Sequence, residues 1–312
     1  MLLRLAATVA AVACSLVLAP AASAAQPVPR ELPPAWYTVA LAEQVHSAGA
    51  GGVQVAAEYL NTECPGYQSP GVQAAGCIVA PYGCTANFIY TDGTSKYVGT
   101  AAHCVDKVGQ PVVMQVDTTT LAEVGTVSYR SAQEEPGDDF AIIKIYPDVA
   151  SKWGVNPAIP VVGGPNGIYT GCGPELVKNY GHGYGVAVAQ GKPEGGLALV
   201  WHDDGYGWEG VAAPGDSGDA VVTSAGLAAG NLTHLIIYDR NYTPSTVAGT
   251  RITKILTQTG LQLVNADGST TGAASTSCGG STTGGTGGGG GGNGGGNGGG
   301  NGGGKPKGGK KT

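Results

Sequence analysis

The sequence has 312 residues, of which 42% are hydrophobic and 12% are charged. Residues 25–267, the body of the chain, carry 11 lysines and arginines against 22 aspartates and glutamates, a formal charge of −11. Such an acidic surface argues against a nucleic-acid-binding protein, which needs a basic footprint. A body of 243 residues is long enough for one large domain or two small ones.

The first 24 residues have the pattern of a secretory signal peptide. Arg4 precedes an apolar stretch from Leu5 to Ala19, and Ala22 and Ala24 form the A-x-A pattern that signal peptidases accept. This stretch is too short for a lasting membrane span, and no other apolar run approaches the required length. We therefore expect cleavage after Ala24 and a secreted protein without a membrane span.

The cysteines indicate an oxidising compartment. An even number in an exported chain predicts disulfides, here three of them. No two of these cysteines have the short spacing of common zinc sites, so we expect neither a metal nor another cofactor. Six cysteines remain after signal cleavage: Cys64, Cys77, Cys84, Cys104, Cys172 and Cys278.

Beyond the signal peptide, short strands dominate the predicted elements. Residues 25–60 start with a proline-rich segment and continue with glycine-interrupted helical spacing, so they are an N-terminal extension or a pro-segment. Residues 61–155 carry strand-length segments, with a hairpin signal at "TDG". After a connection rich in Gly, Pro and Asn, residues 156–267 carry a second set, closed by a short helix within "GTRITKILTQTG".

From residue 268 onward the composition becomes rich in glycine, and residues 268–312 are predicted to be a disordered tail. We expect this tail to be solvated. The alternative is a tether in which its lysines contact an anionic cell wall. These lysines are Lys305, Lys307, Lys310 and Lys311.

Two polar motifs in the first set of strands suggest a base and a group that orients it. His103 lies in "GTAAHC", and imidazole is the natural base for a serine near neutral pH. Asp139 directly precedes the apolar strand of "GDDFAIIKI", and a buried carboxylate there needs a partner such as the Nδ1–H of His103. Asp138 is the competing carboxylate. The alternatives are a structural histidine and two solvated turn residues.

The stretch "VAAPGDSGDAVV" in the second set of strands contains Ser217. Its Gly, Asp and Ser residues suit a simple turn, and they also suit a nucleophile, which requires a base elsewhere in the chain. The order His103, Asp139, Ser217 differs from the Ser-acid-His order of α/β-hydrolases and the Asp-His-Ser order of subtilisins.

In that order, "TAAHC", "DDFAII" and "GDSG" resemble the signature segments of chymotrypsin-like (trypsin-like) serine proteases. The segments "YGHG", "THL" and "GTRITKIL" are similar to the compact secreted members from actinobacteria. The resemblance implies an all-β fold of two six-stranded antiparallel β-barrels with a short C-terminal helix. It also implies a monomeric serine endopeptidase that acts on a protein or peptide substrate in the cleft between the barrels.

The same resemblance implies roles for individual residues. Ser217 is the nucleophile, His103 the general base and then acid, and Asp139 the group that orients His103. The backbone N–H groups of Gly215 and Ser217 form the oxyanion hole. Cys84 and Cys104 match the family disulfide that braces the histidine. Cys64 with Cys77 is then a plausible pair, and Cys172 with Cys278 follows by elimination.

Three further positions are implied to line the substrate pocket. Val211, six residues before Ser217, falls at the base of the pocket, where cleavage after Lys or Arg would require a carboxylate. An apolar pocket is therefore expected. Thr233 aligns with the family serine near the catalytic acid, and Leu235 lies in the strand that pairs with substrate.

Two aspartates depart from the family pattern. The family pairs the equivalent of Asp216 with a newly freed N-terminus, but the usual activation sequence is missing here. Asp219 stands where the family usually has glycine. The alternative to an active enzyme is therefore a catalytically weak or inactive binding protein of the same fold.

Overall fold

Short strands, nearly all antiparallel, make up most of the regular secondary structure of the computed structural model, which describes residues 32–66, 69–183, 191–236 and 245–278. The predicted signal peptide and the tail from residue 279 lie outside these ranges. Among the described helices, none has the length and apolar character needed to cross a membrane. The strands of the first half are β1 (Val53–Gln54), β2 (Val72–Gln73), β3 (Cys77–Ala80), β4 (Cys84–Thr85), β5 (Ile89–Thr91), β6 (Lys96–Thr100), β7 (Pro111–Gln115), β8 (Thr120–Arg130) and β9 (Ala141–Ile145).

The second half adds further strands, and four α-helices lie outside the sheets. The remaining strands are β10 (Val155–Asn156), β11 (Glu175–Tyr180), β12 (Pro193–Trp201), β13 (Gly205–Gly210), β14 (Ala220–Thr223), β15 (Ala228–Ile236), β16 (Ser245–Arg251), β17 (Gln262–Val264) and β18 (Thr270–Thr271). The helices are α1 (Val39–Ala48), α2 (Ala57–Glu63), α3 (Pro147–Trp153) and α4 (Ile252–Thr259).

The second half is a closed antiparallel barrel of six strands, in the order β11-β12-β13-β16-β15-β14. The first half is one sheet in the order β18-β17-β5-β6-β9-β8-β7-β3-β4, and β1 pairs with β8 at its side. This sheet is larger than a six-stranded barrel because β1 from the N-terminal extension, and β17 and β18 from the segment after α4, add strands to it. The predicted all-β fold class is confirmed, and α4 is the short helix expected near the C-terminus.

The N-terminal extension packs against the outside of the first sheet. Val45 of α1 and Leu60 of α2 are fully buried in one apolar cluster with Leu121 of β8. A disulfide joins Cys64, directly after α2, to Cys77 of β3. The extension is therefore held by burial, by β1 pairing and by a covalent bond.

The C-terminal residues return to the first half after α4. This helix ends at Gly260, whose φ of 69° lies in the left-handed region that glycine tolerates. Strand β17 then pairs with β5, although the sequence predicts residues 262–264 within the second barrel. Residues 268–278 were expected in the disordered tail, but β18 pairs with β17 and Cys278 is bonded to Cys172.

Candidate active site

His103 lies in a buried 3-10 turn, Ala102–Cys104, directly after β6. Its side chain is only 6% exposed. The neighbouring Ala101 and Ala102 are fully buried, and their small side chains let the turn pack against the strands around it. A disulfide between Cys104 and Cys84 of β4 holds the turn from the other side. Strand end, small residues and disulfide together fix the position of the imidazole.

Asp139 is fully buried and contacts this histidine directly. Its Oδ2 lies 2.6 Å from Nδ1 of His103. Its Oδ1 accepts the backbone N–H groups of Ala102, at 2.6 Å, and of His103, at 3.1 Å. Such donors stabilise a buried carboxylate, which in turn orients the imidazole. Of the two competing aspartates, Asp139 is therefore the one that makes the contact.

The backbone of Asp139 is anchored by the second half of the molecule. Its N–H donates to Oγ1 of Thr250 on β16, at 3.0 Å. Its carbonyl accepts Nδ2–H of Asn231 on β15, also at 3.0 Å. Strands β15 and β16 of the second barrel therefore fix the position of the aspartate that orients His103.

His234 on β15 lies close to this pair and was not expected from the sequence. Its Nδ1 is 3.9 Å from Oδ2 of Asp139, and its ring centroid is 6.3 Å from that of His103. Burial lowers the pKa of His234, with a further reduction from His103, while Asp139 acts in the opposite direction. We therefore expect His234 to be neutral, with its Nε2 facing the carbonyl of Glu134 at 3.2 Å.

The hydroxyl of Thr233, the residue aligned with the family serine, lies 2.8 Å from Nδ1 of His234 and 3.2 Å from the carbonyl of Ala248. The pairing of β15 with β16 shifts register between Leu232 and His234, and such a bulge changes which side chains face each side of a strand. The sequence alignment points to Thr233, whereas the structure brings His234 close to Asp139, and this shift by one residue coincides with the bulge. The sequence "LTHL" gives no sign of it.

Ser217 lies in the loop between β13 and β14 and is 2% exposed. Its carbonyl accepts the N–H of Thr85 at 2.9 Å and lies 3.5 Å from Sγ of Cys104, next to His103. Within the described residues, Nε2 of His103 has no hydrogen-bond partner. The serine loop of the second half and the histidine turn of the first half are thus in direct contact.

Glycines shape the loop around Ser217. Gly215 has a φ of 101° and Gly218 a φ of 93°, which residues with a β-carbon rarely adopt. A β-carbon on Gly218 would also collide with the carbonyl of Thr85 and lie 2.8 Å from the N of Ala101. The hydroxyl of Thr85 donates to the carbonyl of Gly215 at 2.6 Å, which joins the loop to β4.

Asp216, directly before Ser217, is fully buried and accepts two backbone N–H groups. Gly183 donates to Oδ1 and Ala213 donates to Oδ2, each at 2.7 Å. Burial raises the pKa of Asp216 to about 7, and these two donors oppose the rise. Within the described residues, the partners of Asp216 are therefore backbone N–H groups rather than a cation.

The residues predicted to line the substrate pocket differ in exposure. Val211 is 45% exposed, whereas Ala212 and Ala213 beside it are buried. Leu235 is partly buried and packs against the apolar core of the second barrel. Val211 and Leu235 are apolar, whereas Thr233, the third residue predicted for the pocket, is polar and fully buried.

Metal-ligand residue types come together once within the described parts of the chain, at Cys84, His103 and Cys104. The two cysteines are joined as a disulfide, so neither is a thiolate that could ligate an ion. The described residues therefore offer no thiolate metal site beside His103.

Comparison with known proteins gives similar solved structures. No protein-family model matches the chain, and neither does any curated protein. Thermobifida fusca protease A is 18% identical, with a TM-score of 0.47 over 62% of this chain and 98% of that protein. Nocardiopsis protease is 17% identical, with a TM-score of 0.44 over 62% and 99%. An α-lytic protease homologue, N4, is 19% identical, with a TM-score of 0.42 over 61% and 98%.

Proposed function

We propose that this protein is a secreted serine endopeptidase that cleaves peptide bonds through an acyl-enzyme. The observation that carries the proposal is the 2.6 Å contact between Nδ1 of His103 and Oδ2 of Asp139. The turn that carries His103 also contacts the loop that carries Ser217, since Sγ of Cys104 lies 3.5 Å from the carbonyl oxygen of Ser217. A buried aspartate that fixes an imidazole beside a serine is the arrangement that converts a weak hydroxyl into a nucleophile.

Each residue has a defined step in this reaction. Oγ of Ser217 bonds to the carbonyl carbon of the substrate while its proton moves to Nε2 of His103. The backbone N–H groups of Gly215 and Ser217 donate to the resulting oxyanion. The C–N bond then breaks as Nε2 returns the proton to the departing amine, and water releases the acyl group by the same path. Asp139 stabilises the imidazolium that forms in both halves.

An apolar residue is proposed on the acyl side of the cleaved bond. Val211, Ala212 and Ala213 provide no carboxylate that could pair with a substrate lysine or arginine. Apolar side chains in that position favour apolar substrate groups.

Secretion is supported by the cysteines. All six that follow the predicted signal peptide are joined in three disulfides, which form and persist in oxidising compartments. Retention at the cell wall through the lysine-ended tail remains a prediction. Comparing the protein in cells and medium after deletion of residues 279–312 tests it.

A binding protein without activity is the second candidate, because Asp219 is fully buried two residues after Ser217, where a glycine was expected. A carboxyl group there could hold the loop in an unproductive conformation. This candidate requires a folded protein that binds peptides without cleaving them.

Hydrolysis of a fluorogenic peptide library separates the two candidates. We expect cleavage after apolar residues by the parent protein and by Ser224→Ala, an exposed serine in the same half. Ser217→Ala should lose at least about 10⁴-fold in kcat. Cleavage after Lys or Arg would contradict the assigned pocket, and binding without cleavage by the folded parent would favour the second candidate.

A further inference from the structure

Three carboxyl groups lie together beside the loop that carries Ser217. Asp216 and Asp219 flank the serine in sequence and are fully buried. Glu194 on β12 faces Asn179 across the β11–β12 pair, and both of its carboxyl oxygens are buried. A β-carbon on Gly181 would collide with Oδ1 of Asp216 and lie 3.1 Å from Oδ2 of Asp219. The absence of a side chain there brings the two aspartates together.

The hydrogen bonds of these groups are unequal. Both oxygens of Asp216 accept backbone N–H groups, as described above. Oδ2 of Asp219 accepts Nδ2–H of Asn179 at 2.8 Å. Within the described residues, Oδ1 of Asp219 and Oδ1 of the fully buried Asn179 have no partner, and neither carboxyl oxygen of Glu194 makes a hydrogen bond of good geometry, although the amide of Asn179 lies beside them. The buried oxygens of this cluster therefore outnumber the donors that reach them.

No positive side chain of the described chain compensates for these groups. The charges that act on Glu194 are those of Asp216 and Asp219, and the charge that acts on Asp219 is that of Asp216. His182, beside Gly183, directs its ring nitrogens at the carbonyls of Pro65 and Ala75, each at 2.8 Å, and burial lowers its pKa, which favours the neutral ring. Tyr206 of β13 also faces Asp219, and burial together with that aspartate raises its pKa.

We propose that Asp219 and Glu194 are positioning residues that remain neutral carboxylic acids at neutral pH, so that protons rather than a cation hold the Ser217 loop in place. A protonated carboxyl group has one O–H donor. Two such donors can satisfy the unpartnered oxygens of Asp219, Glu194 and Asn179. Asp216 holds the negative charge, because its two backbone donors match an ionised carboxylate.

The pKa values follow the same order. Burial, with added repulsion from Asp216 and Asp219, raises the pKa of Glu194 to about 9. Burial and Asp216 raise the pKa of Asp219 well above its usual range. Asp216 has the lower value, about 7, because the N–H groups of Ala213 and Gly183 stabilise its charge.

The sign of the pH dependence follows from these raised pKa values. A carboxyl group that binds its proton more tightly in the folded protein than in the unfolded chain stabilises the fold most at acid pH. That stabilisation is lost as pH rises through the folded-state pKa. Stability should therefore fall as the pH rises from the unfolded-state pKa of about 4, and Glu194 extends this fall into the alkaline range, up to about pH 9. The role in catalysis rests on the proposed endopeptidase, whereas this effect on stability does not.

The test uses the full chain carrying Asp219→Asn together with Glu194→Gln, two changes that keep the shapes of the neutral acids. We expect the double variant to be at least as stable as the parent at neutral pH and to lose the alkaline fall in its unfolding midpoint. The infrared band of protonated carboxyl groups, present in the parent at neutral pH, should decrease. Glu209→Gln, an exposed carboxyl group on β13, is the control and should change neither readout.

Asp216→Asn should destabilise the protein, unlike the double variant, because the amide N–H₂ of the new asparagine would face a backbone N–H donor. It should lower the unfolding midpoint at neutral pH. The proposal is overturned if the double variant loses as much stability as Asp216→Asn, if its alkaline fall persists, or if a divalent cation stabilises the parent and chelation reverses the effect. Repeating the measurements in Ser217→Ala keeps the result independent of whether the protein is a protease. In the active protein, the ratio of kcat/KM at alkaline to neutral pH should rise in the double variant.

Discussion

At the scale of the residue, Asp139 determines the geometry of the site. It binds the Nδ1 edge of His103 with one oxygen and two backbone N–H groups with the other. When His103 carries its proton on Nδ1, all three of these groups are hydrogen-bond donors to the carboxyl oxygens of Asp139. Only an ionised carboxylate can accept all three bonds.

Replacing Asp139 by asparagine therefore introduces a mismatch. Either the amide N–H₂ faces the backbone N–H groups of Ala102 and His103, or it faces Nδ1 and selects the wrong imidazole tautomer. We expect kcat to fall about 10⁴-fold while the protein stays folded. Asp138→Asn, which changes the neighbouring charge, should retain most of the parent kcat; equal losses in both variants would contradict the assignment.

His234 provides a second residue-scale prediction. Its buried ring fills the space beside Asp139, so His234→Ala should admit water there and weaken the hold on His103. We expect kcat to fall about tenfold, equivalent to about 1.4 kcal/mol, with little change in KM. His234→Gln, which keeps a polar side chain of similar length, should recover part of the loss. The same loss in both variants, or a change confined to KM, would count against this positioning role.

The limits of sequence-based prediction at this scale have specific causes. His103, Asp139 and Ser217 could be proposed from the sequence because each lies in a short motif and the order of the motifs is informative. The approach of His234 to Asp139 was not predicted, because the β-bulge beside it has no local sequence signature here. Glu194 was missed because its proximity to Asp216 and Asp219 arises from strand pairing.

At the scale of the element, α1 is an integral part of the first half. Val45 is fully buried against α2 and β8, whereas Val39 in the same helix is 77% exposed. The indole N–H of Trp153 on α3 donates to the carbonyl of Ala50, just after α1, at 2.8 Å. An extension with these contacts contributes to the stability of the fold.

The two valines of α1 allow a matched test of that contribution. Val45→Ala should lower the free energy of unfolding by about 2 kcal/mol, because it leaves a cavity in the cluster. Val39→Ala should change it by less than about 0.5 kcal/mol. Urea unfolding measures both, and equal effects would show that α1 does not pack on the sheet in solution.

The sequence predicted individual strands and helices better than it predicted which other elements they pair with or pack against. The hairpin at "TDG" forms as β5 and β6, with Asp92 accepting the N–H groups of Thr94 and Ser95. The choice between extension and pro-segment for residues 25–60 stayed open, because glycines interrupt the helical spacing and packing on β8 depends on residues far along the chain.

At the scale of the whole molecule, the candidate site lies where the two halves meet. His103 and Asp139 come from the first half and Ser217 from the second. Thr85 binds the Ser217 loop, and Asn231 and Thr250 bind Asp139 from the other direction. The order of the motifs along the chain predicted that the two halves would share these residues. The pairing of β17 with β5 was not predicted, because a strand of three residues carries little sequence pattern.

The central claim is that Ser217 is an activated nucleophile. Labelling with a fluorophosphonate probe tests it most directly, since such a probe phosphonylates an activated serine with loss of fluoride. We predict that the native protein is labelled, that mass spectrometry places the label on Ser217, and that Ser224→Ala is labelled equally. Ser217→Ala should remain unlabelled. Absence of labelling in the folded native protein, or a label on another serine, would contradict the proposed triad.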